Sequence, residues 1–530
     1  MQTAQIIGLE TEYAAWLDNG AVFDPLSLFE GWTPPFRARW DAQPERPWCD
    51  ARGFVPAAGV SNAPESPLEL LATPNPAPES VARSQQPTPQ IGIEDLPSVM
   101  LTNGARFYLD HTHPEWSTPE CASPLEAVLY DKAGELWLND LVERINAQRK
   151  DQSRLALYKN NVDVHGNTYG SHENYLVDAM LYENLFEKSA HRFYTVLIPF
   201  LVTRQILCGA GKVALLDTTG EFGFHISQRA DFFETILGLQ TTHHRPLINT
   251  RDEPHADASR FRRLHVITGD SNLAEHTSLL KIGATALVLE MLGHDCIRLD
   301  LTLADPLRAV RVISQDPTCR QTIELETGKR RCTAVDIQRA FVQAAKDYLD
   351  AQDDHTYRRE IWTLWASTVE DLATDPTRLA TRIDWVIKYE FLKAQIQLRD
   401  WTWATPQIRE LDIKYHQINP QRSLFYRLQS QGAIERLLED AAIRQACVRP
   451  PATTRARLRV ACLERYRDYL LAVNWNTMVF SGSKERIWRW RWDDPMDKGD
   501  AQTESILRQA SDPETFVRLM LQINLRQGEK

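Results

Sequence analysis

Two short stretches concentrate side chains that bind metals and move protons. They are Gly8-Leu9-Glu10-Thr11-Glu12-Tyr13 and Asn103-Gly104-Ala105-Arg106-Phe107-Tyr108-Leu109-Asp110-His111-Thr112-His113-Pro114-Glu115. Successive side chains of a strand face opposite ways. As a strand, the first stretch puts Glu10 and Glu12 on one face and Leu9 and Thr11 on the other. The second puts Arg106, Tyr108 and Asp110 opposite Ala105, Phe107 and Leu109. Carboxylates are costly to bury unless paired or metal-bound, so apolar strands that carry them on one face imply a cation site. Hard oxygen ligands on a rigid sheet suit Mg²⁺, which is often shared with a nucleotide phosphate. Glu10 with Tyr108 and Glu115 could hold one Mg²⁺, and Glu12 could serve a second. The plain alternative for Glu10 and Glu12 is an edge strand with a wet face, and the second carboxylate-bearing strand weighs against it. Asp110 is the candidate reactive carboxylate. Beside a metal it can act as general base on water or attack an activated carbonyl. His111 and His113 with Glu115 superficially resemble zinc ligands, but shaping the turn is the preferred role for both.

Further polar runs follow. Tyr158-Lys159-Asn160-Asn161, with Gly166 and Gly170, forms a Gly/Asn turn ahead of the polar strand Ser171-His172-Glu173-Asn174. His172 reads equally as a metal ligand, a phosphate donor or a buried structural histidine. In Arg262-Arg263-Leu264-His265-Val266, Arg263 and His265 share a strand face, a pairing suited to phosphate and metal. Asn249-Thr250-Arg251-Asp252-Glu253-Pro254-His255-Ala256-Asp257 is dense in polar groups and reads as a solvated loop. Trp475 could lie against a nucleotide base. Trp488, Trp490 and Trp492 alternate with Arg489 and Arg491 as one aromatic strand face, for which core packing is a better role than base stacking.

The elements that must position these groups read as a mixed α+β chain. Strands are expected at 5–13, Met100–Leu109, Leu155–Tyr158, Phe222–Arg229, Leu264–Thr268 and around 471–480. Helices are expected at Pro124–Gln148, Leu197–Cys208, Leu279–Leu292, much of 335–400, 424–447 and 453–470. Ser511 reads as the cap of a last helix, with Asp512 and Glu514 at its positive end. Residues 41–97 hold 11 of the 29 prolines, which resists helix and sheet alike, so a long loop separates the two carboxylate strands. The reading divides the chain into a catalytic domain at 1–419, with the insertion at 41–97, and a small C-terminal domain at 420–530.

Bulk properties narrow the function. The 530 residues are 43% hydrophobic and carry a net charge of −11, which disfavours a non-specific nucleic-acid binder. The eight cysteines are scattered without a CxxC pair, as expected of reduced thiols in a cytoplasm. No signal peptide or membrane span is expected.

Assembled in order, GLETEY, LTNGARFYLDHTHPE, LYKNNVD, YGSHENYL, PFLVTRQ, ISQRADFFE, INTRDEPHADASRFRRLHVITGDSNLAE and LLKIGATALVLEML make the chain, from residue 6 to about 480, resemble the family of Pup deamidase/depupylases (Dop) and Pup ligases (PafA). These are relatives of glutamine synthetase and γ-glutamyl-cysteine ligase. The resemblance implies a curved, mainly antiparallel sheet of the glutamine-synthetase type with helices packed on it, plus a small C-terminal domain. It implies ATP or ADP and Mg²⁺ on the concave face. The implied metal ligands are Glu10, Tyr108, Glu115, His172 and His265. Arg106, Thr118 and Trp475 match nucleotide contacts, beside the phosphate-suited Arg263, and Asp110 matches the catalytic aspartate. The implied partners are Pup or a Pup-like modifier and pupylated proteins.

Three features favour the hydrolytic branch, which deamidates the modifier's C-terminal glutamine and cleaves its isopeptide bond to lysine. They are the insertion with Arg39-Trp40-Asp41 and Asp50-Ala51-Arg52-Gly53-Phe54, the spacing of Asp110-His111-Thr112-His113-Pro114, and Asn272-Leu273-Ala274-Glu275. Gly269-Asp270-Ser271 leans towards the ligase, which joins the modifier to lysine with ATP. Ligation is therefore the alternative, followed by a small-molecule carboxylate–amine ligase. Departures from the family pattern include Val164-His165-Gly166-Asn167-Thr168 and Trp116.

Overall fold

The computed structural model describes residues 6–528 except 31, 43–44, 46–48, 51–96, 152, 164–165, 189–190, 240–243 and 484–485. Most of the expected 41–97 loop, part of its Asp50–Phe54 signature and part of the 164–168 departure lie outside the described residues.

An eight-stranded sheet organises the larger body. Its order is Thr235–Gly238, Pro246–Asn249, Phe261–Val266, Ser171–Asp178, Ile7–Glu12, His113–Ser117, Arg106–Asp110 and Ser98–Met100. Only the first two strands pair in parallel; every other pairing is antiparallel. Ile7–Glu12 lies inside the sheet, hydrogen-bonded on both sides. Its Ile7 and Leu9 enter a large apolar core with Tyr175, Val177, Leu264 and Val266. The helix Glu275–Gly293 fills that core and is apolar on nearly every side, as a fully buried helix must be. The sheet's other face is left for polar groups.

The helix Pro124–Gln148 matches its sequence reading because its start is written locally. Ser123 accepts from the Glu126 amide, Glu126 accepts from the Ala122 amide at 2.7 Å, and Pro124 sits in the first turn. The expected Met100–Leu109 strand is instead a hairpin. Gly104 has φ 79°, and the Asn103 side chain accepts from the Ala105 amide at 3.0 Å, so Asn-Gly reverses the chain. The expected strand at 471–480 is likewise two strands, Leu470–Val473 and Thr477–Ser481, with Trp475 in the turn between them. The last helix, Pro513–Gly528, is capped by Asp512, which accepts from the Thr515 amide, rather than by Ser511.

A second core contains Phe36, Met100, Leu458, Phe480, Trp490, Trp492 and Phe516. The strand Ile487–Arg491 turns Trp490 into it, with Trp492 just beyond, and leaves Arg489 and Arg491 exposed. Core packing is thus the role of this aromatic face. Arg39–Trp40 joins the edge of the same small sheet, parallel to Leu470–Val473. The sequence reading sets a boundary at 420; Leu424–Ser430 and Asp440–Ala446 contribute instead to cores of the larger body, through Phe425 and Ala446. All eight cysteines are free. No helix among the described residues is long and apolar enough to cross a membrane.

Gly134 lies where the Pro124–Gln148 helix crosses Trp116. A Cβ there would come within 2.6 Å of the indole Nε1, and Trp116 is fully buried. Alanine normally favours a helix interior by about 0.5–1 kcal/mol over glycine, but overpacking costs about 1–3 kcal/mol. Gly134→Ala is expected to lower stability by about 1–2 kcal/mol, read as an earlier urea midpoint at unchanged slope.

Candidate functional site

The sheet register decides which side chains meet. Arg106 pairs with Ser117, Ser117 with Glu10, and Glu10 with His172, which makes one row across four strands. Tyr108, Glu115 and Glu12 make the next. His265 pairs with Asn174 one strand further out. Directly opposed residues of antiparallel strands share a face, so all of these groups converge on the polar face.

They fall into two groups whose ligand atoms lie within 4.8 Å of one another: Glu10, His172 and His265, and Glu12, Asp110 and Glu115. The expected trio of Glu10, Tyr108 and Glu115 spans the two groups, with Tyr108 paired to Glu115 across neighbouring strands. The register sets Glu115 in the row of Glu12, and the Tyr108 hydroxyl accepts from Ser117 at 3.3 Å.

In the first group His172 Nδ1 lies 3.2 Å from Glu10 Oε2, and Asn174 donates to Glu10 Oε1 at 3.0 Å. His265 Nε2 lies 3.7 Å from Glu10, and neither of its ring nitrogens has a hydrogen-bond partner among the described residues. Burial pushes both imidazoles towards the neutral, metal-ligating form. Burial opposes ionisation of Glu10 as well, but the His172 hydrogen bond and the surrounding positive groups, Arg263 among them, hold its carboxyl well below the usual range. Arg263 Nη1 donates to Asn174 at 3.3 Å and lies 4.0 Å from Glu10.

The second group is a cluster of like charges. Burial and the Asp110 charge push Glu12 up to about 7. Burial, then Asp110, Glu10 and Glu12, push Glu115 well above the carboxylate range. Asp110 is different. It ends its strand, its side chain is 43% exposed, and His111 Nδ1 lies 3.2 Å away. Burial tends to raise its pKa, but His111 outweighs that and keeps the carboxyl ionised. His111 adopts φ 53°, in keeping with a turn-shaping role. His113 stacks on Tyr169 at 4.6 Å, with Nδ1 3.4 Å from Glu12.

A cleft opens beside Glu10. Glu10, Thr118, Asn174, Arg263, Arg455 and Trp475 are among its lining residues. The Thr118 hydroxyl accepts from the Leu9 amide at 3.0 Å. Arg106 is not among the lining residues. Its guanidinium is held between the rings of Trp40 (3.6 Å) and Tyr108 (3.9 Å), with Nε on Ser98 at 2.9 Å. The sequence reading did not single out Arg455, which comes from the second core and carries no local motif. It also took His255 for part of a solvated loop, whereas His255 lines the cleft and Thr250 and Glu253 are buried.

The donor sets fit divalent cations. Glu12, Asp110 and Glu115 are oxygen-only, the preference of Mg²⁺, and the raised carboxyls of Glu12 and Glu115 gain most from a cation. The two unpartnered nitrogens of His265 with His172 add imidazole donors, which also admit transition ions.

Residues 5–479 match the family model described as Pup-ligase protein. The depupylase of Acidothermus cellulolyticus is 39% identical over 493 residues, covering 90% of this chain and 91% of that one. The Pup deamidase/depupylase of Mycolicibacterium smegmatis is 36% identical over 488 residues, with the same coverages. Among solved structures, the Pup ligase PafA in complex with the prokaryotic ubiquitin-like protein Pup superposes with a TM-score of 0.75 at 28% identity, over 98% of this chain and 95% of that one. PafA in complex with ADP superposes with a TM-score of 0.69 at 33% identity, over 78% and 89%. With a family match across most of its length, and relatives aligned over nearly their whole extent, this chain belongs to the Pup-ligase protein family.

Proposed function

We propose that this protein is a hydrolase acting on Pup or a Pup-like modifier, removing the amide of its C-terminal glutamine and cleaving its isopeptide bond to lysines of pupylated proteins. The observation that carries the chemistry is Asp110: an ionised, half-exposed carboxylate at the end of a rigid strand, beside Glu12 and Glu115. The choice of hydrolysis over ligation rests on the two relatives named as depupylases, 39% and 36% identical over 90% of the chain.

In this reading the cleft takes ATP or ADP, with Trp475 against the base and Thr118 and Arg263 as polar contacts, while Arg106, held between Trp40 and Tyr108, stands outside the lining. The ADP complex of PafA supports a nucleotide here. Glu10, His172 and His265 hold one cation. Glu115, with the hydroxyl of Tyr108 close by, serves together with Glu12 at a second. Mg²⁺, when bound, would supply the positive charge that polarises the scissile carbonyl, and the nucleotide phosphate would help to hold that cation. Asp110 then takes a proton from water, or adds to the carbonyl carbon and is released by water. The C–N bond breaks, and the nitrogen leaves as ammonia or as the lysine amine. Ligation would run the same contacts towards bond formation, consuming ATP, and the superposition on PafA makes it the second reading.

Asp110→Asn keeps the shape and removes the base. Hydrolysis of a glutamine-ended modifier, followed as a gain of about one mass unit in the intact mass spectrum, is expected to fall about 10²–10³-fold while ADP binding persists. Wild-type turnover in that variant would refute the role. Adduct formation with a glutamate-ended modifier and a lysine acceptor, with ADP released, would select ligation.

Metal dependence gives a second expectation, with its sign. Glu12 titrates near 4.5 unfolded and about 7 folded, so without metal the folded state holds an extra proton between these values. Its contribution to stability is complete below about 4.5 and is lost as pH rises through 7, a change on the order of 3 kcal/mol. In EDTA the melting temperature is expected to fall more from pH 5.5 to 8 in wild type than in Glu12→Gln. Mg²⁺ or Mn²⁺ should reverse the wild-type loss at pH 8. Identical pH slopes in the two proteins would sink the assignment.

A further inference from the structure

One buried ion network reaches the cleft from the second core. Glu120 lies just beyond the His113–Ser117 strand and is itself buried. Its carboxylate accepts from Arg455 Nε at 2.8 Å and from both terminal nitrogens of Arg459 at 2.7 Å each. The two arginines occupy the same side of the helix Arg455–Arg465, and their exposures are 2% and 1%. Burial alone would raise the Glu120 pKa; the Arg459 and Arg455 guanidiniums overcome it and hold the carboxyl at about 2.

Further contacts of the two guanidiniums end on backbone carbonyls, while the buried Arg459 Nε has no hydrogen-bond partner among the described residues. Arg459 donates to Trp475 at 2.6 Å and to Gly104 at 3.2 Å. Arg455 donates to Trp492 at 2.8 Å. Thr454 Oγ1 closes the ring on Glu120's own carbonyl at 2.9 Å. One carboxylate therefore ties together the end of a central sheet strand, the Asn-Gly turn that precedes Arg106, and the hairpin turn that carries Trp475. Thr118, Glu120, Arg455 and Trp475 all line the cleft. The sheet wall and the opposite wall come from different cores, and this network is a polar link between them at the cleft.

We infer that Glu120 is a positioning residue for the cleft's ligand, acting through Arg455 and Arg459 to hold the Trp475 wall at binding distance from Thr118. The inference rests on the reading of the cleft as a nucleotide site. Loss of one partner from a buried pair leaves an uncompensated charge that must move towards water. Here two guanidiniums would move, and Trp475 is hydrogen-bonded to one of them.

The test is ADP titration of the full chain with Mg²⁺ by calorimetry, beside steady-state kinetics. Glu120→Gln is expected to weaken ADP binding about tenfold or more, with kcat at saturating nucleotide within about threefold of wild type. That split of KM from kcat is one that general destabilisation would not produce. Glu120→Asp should recover part of the affinity. A folded Glu120→Gln protein with wild-type ADP affinity overturns the inference. Should that variant not fold, Arg459→Lys, which keeps a cation on Glu120 but drops the paired contact, decides the question: unchanged affinity overturns the role and weakened affinity supports it. Absence of ADP binding by the wild-type protein overturns the nucleotide reading of the cleft, and this role with it.

Discussion

Like charges crowded on one face of a sheet are the constraint on which the rest of this structure depends. Glu12, Asp110 and Glu115 lie within a few ångströms of one another, and their mutual repulsion with burial drives Glu12 and Glu115 towards the protonated form. Such an arrangement persists only where something holds the strands against it. The apolar reverse face does so. Ile7 and Leu9 are locked into the main core on the strand that presents Glu10 and Glu12. A slip of one residue would bury the carboxylates and expose the core side chains, so the hydrophobic face fixes the polar one.

Ions off the polar face serve a different purpose. Glu173 follows His172 but points to the opposite side of the sheet, where Arg204 meets both of its carboxylate oxygens at 2.6 and 2.8 Å. Lys159 joins Asp131 and Glu135 in a second buried network, which Lys132 and Tyr426 complete. Buried pairs like these contribute little net stability compared with apolar packing, but each enforces one geometry. Here they seat the central strands and the Pro124–Gln148 helix behind the site.

The second core shapes the site from outside. It supplies Trp475 and Arg455 to the cleft, and Trp40, from a strand added to its small sheet, stacks on Arg106. The same segment continues through Asp41, which accepts from Asn474, to Asp50, which bridges to Arg251 on the far side of the polar face. The N-terminal side of the Pro-rich insertion is therefore tied to the site's surroundings, and at its C-terminal end Pro97 accepts from the Leu109 amide at 3.2 Å. Trp116, a departure from the family pattern, and the tryptophans of the Trp/Arg strand are core packing.

The sequence by itself determined which residue types share a strand face, because alternation is a local property of the backbone: Glu10 with Glu12, Arg106 with Tyr108 and Asp110, Arg263 with His265. It also determined the Pro124–Gln148 helix, whose cap, first-turn proline and apolar spacing lie within a few residues of one another. It misplaced the reversals at Asn103-Gly104 and at Trp475, where apolar flanks masked short turns. Only the tertiary structure decided the register, and the register is what groups Glu115 with Glu12 and Asp110. Only the tertiary structure brought Arg455 to a cleft built largely from the first strands of the chain. Pairing register and long-range packing are set by the burial of whole faces and by ion networks between distant segments, and no local pattern of residues encodes either.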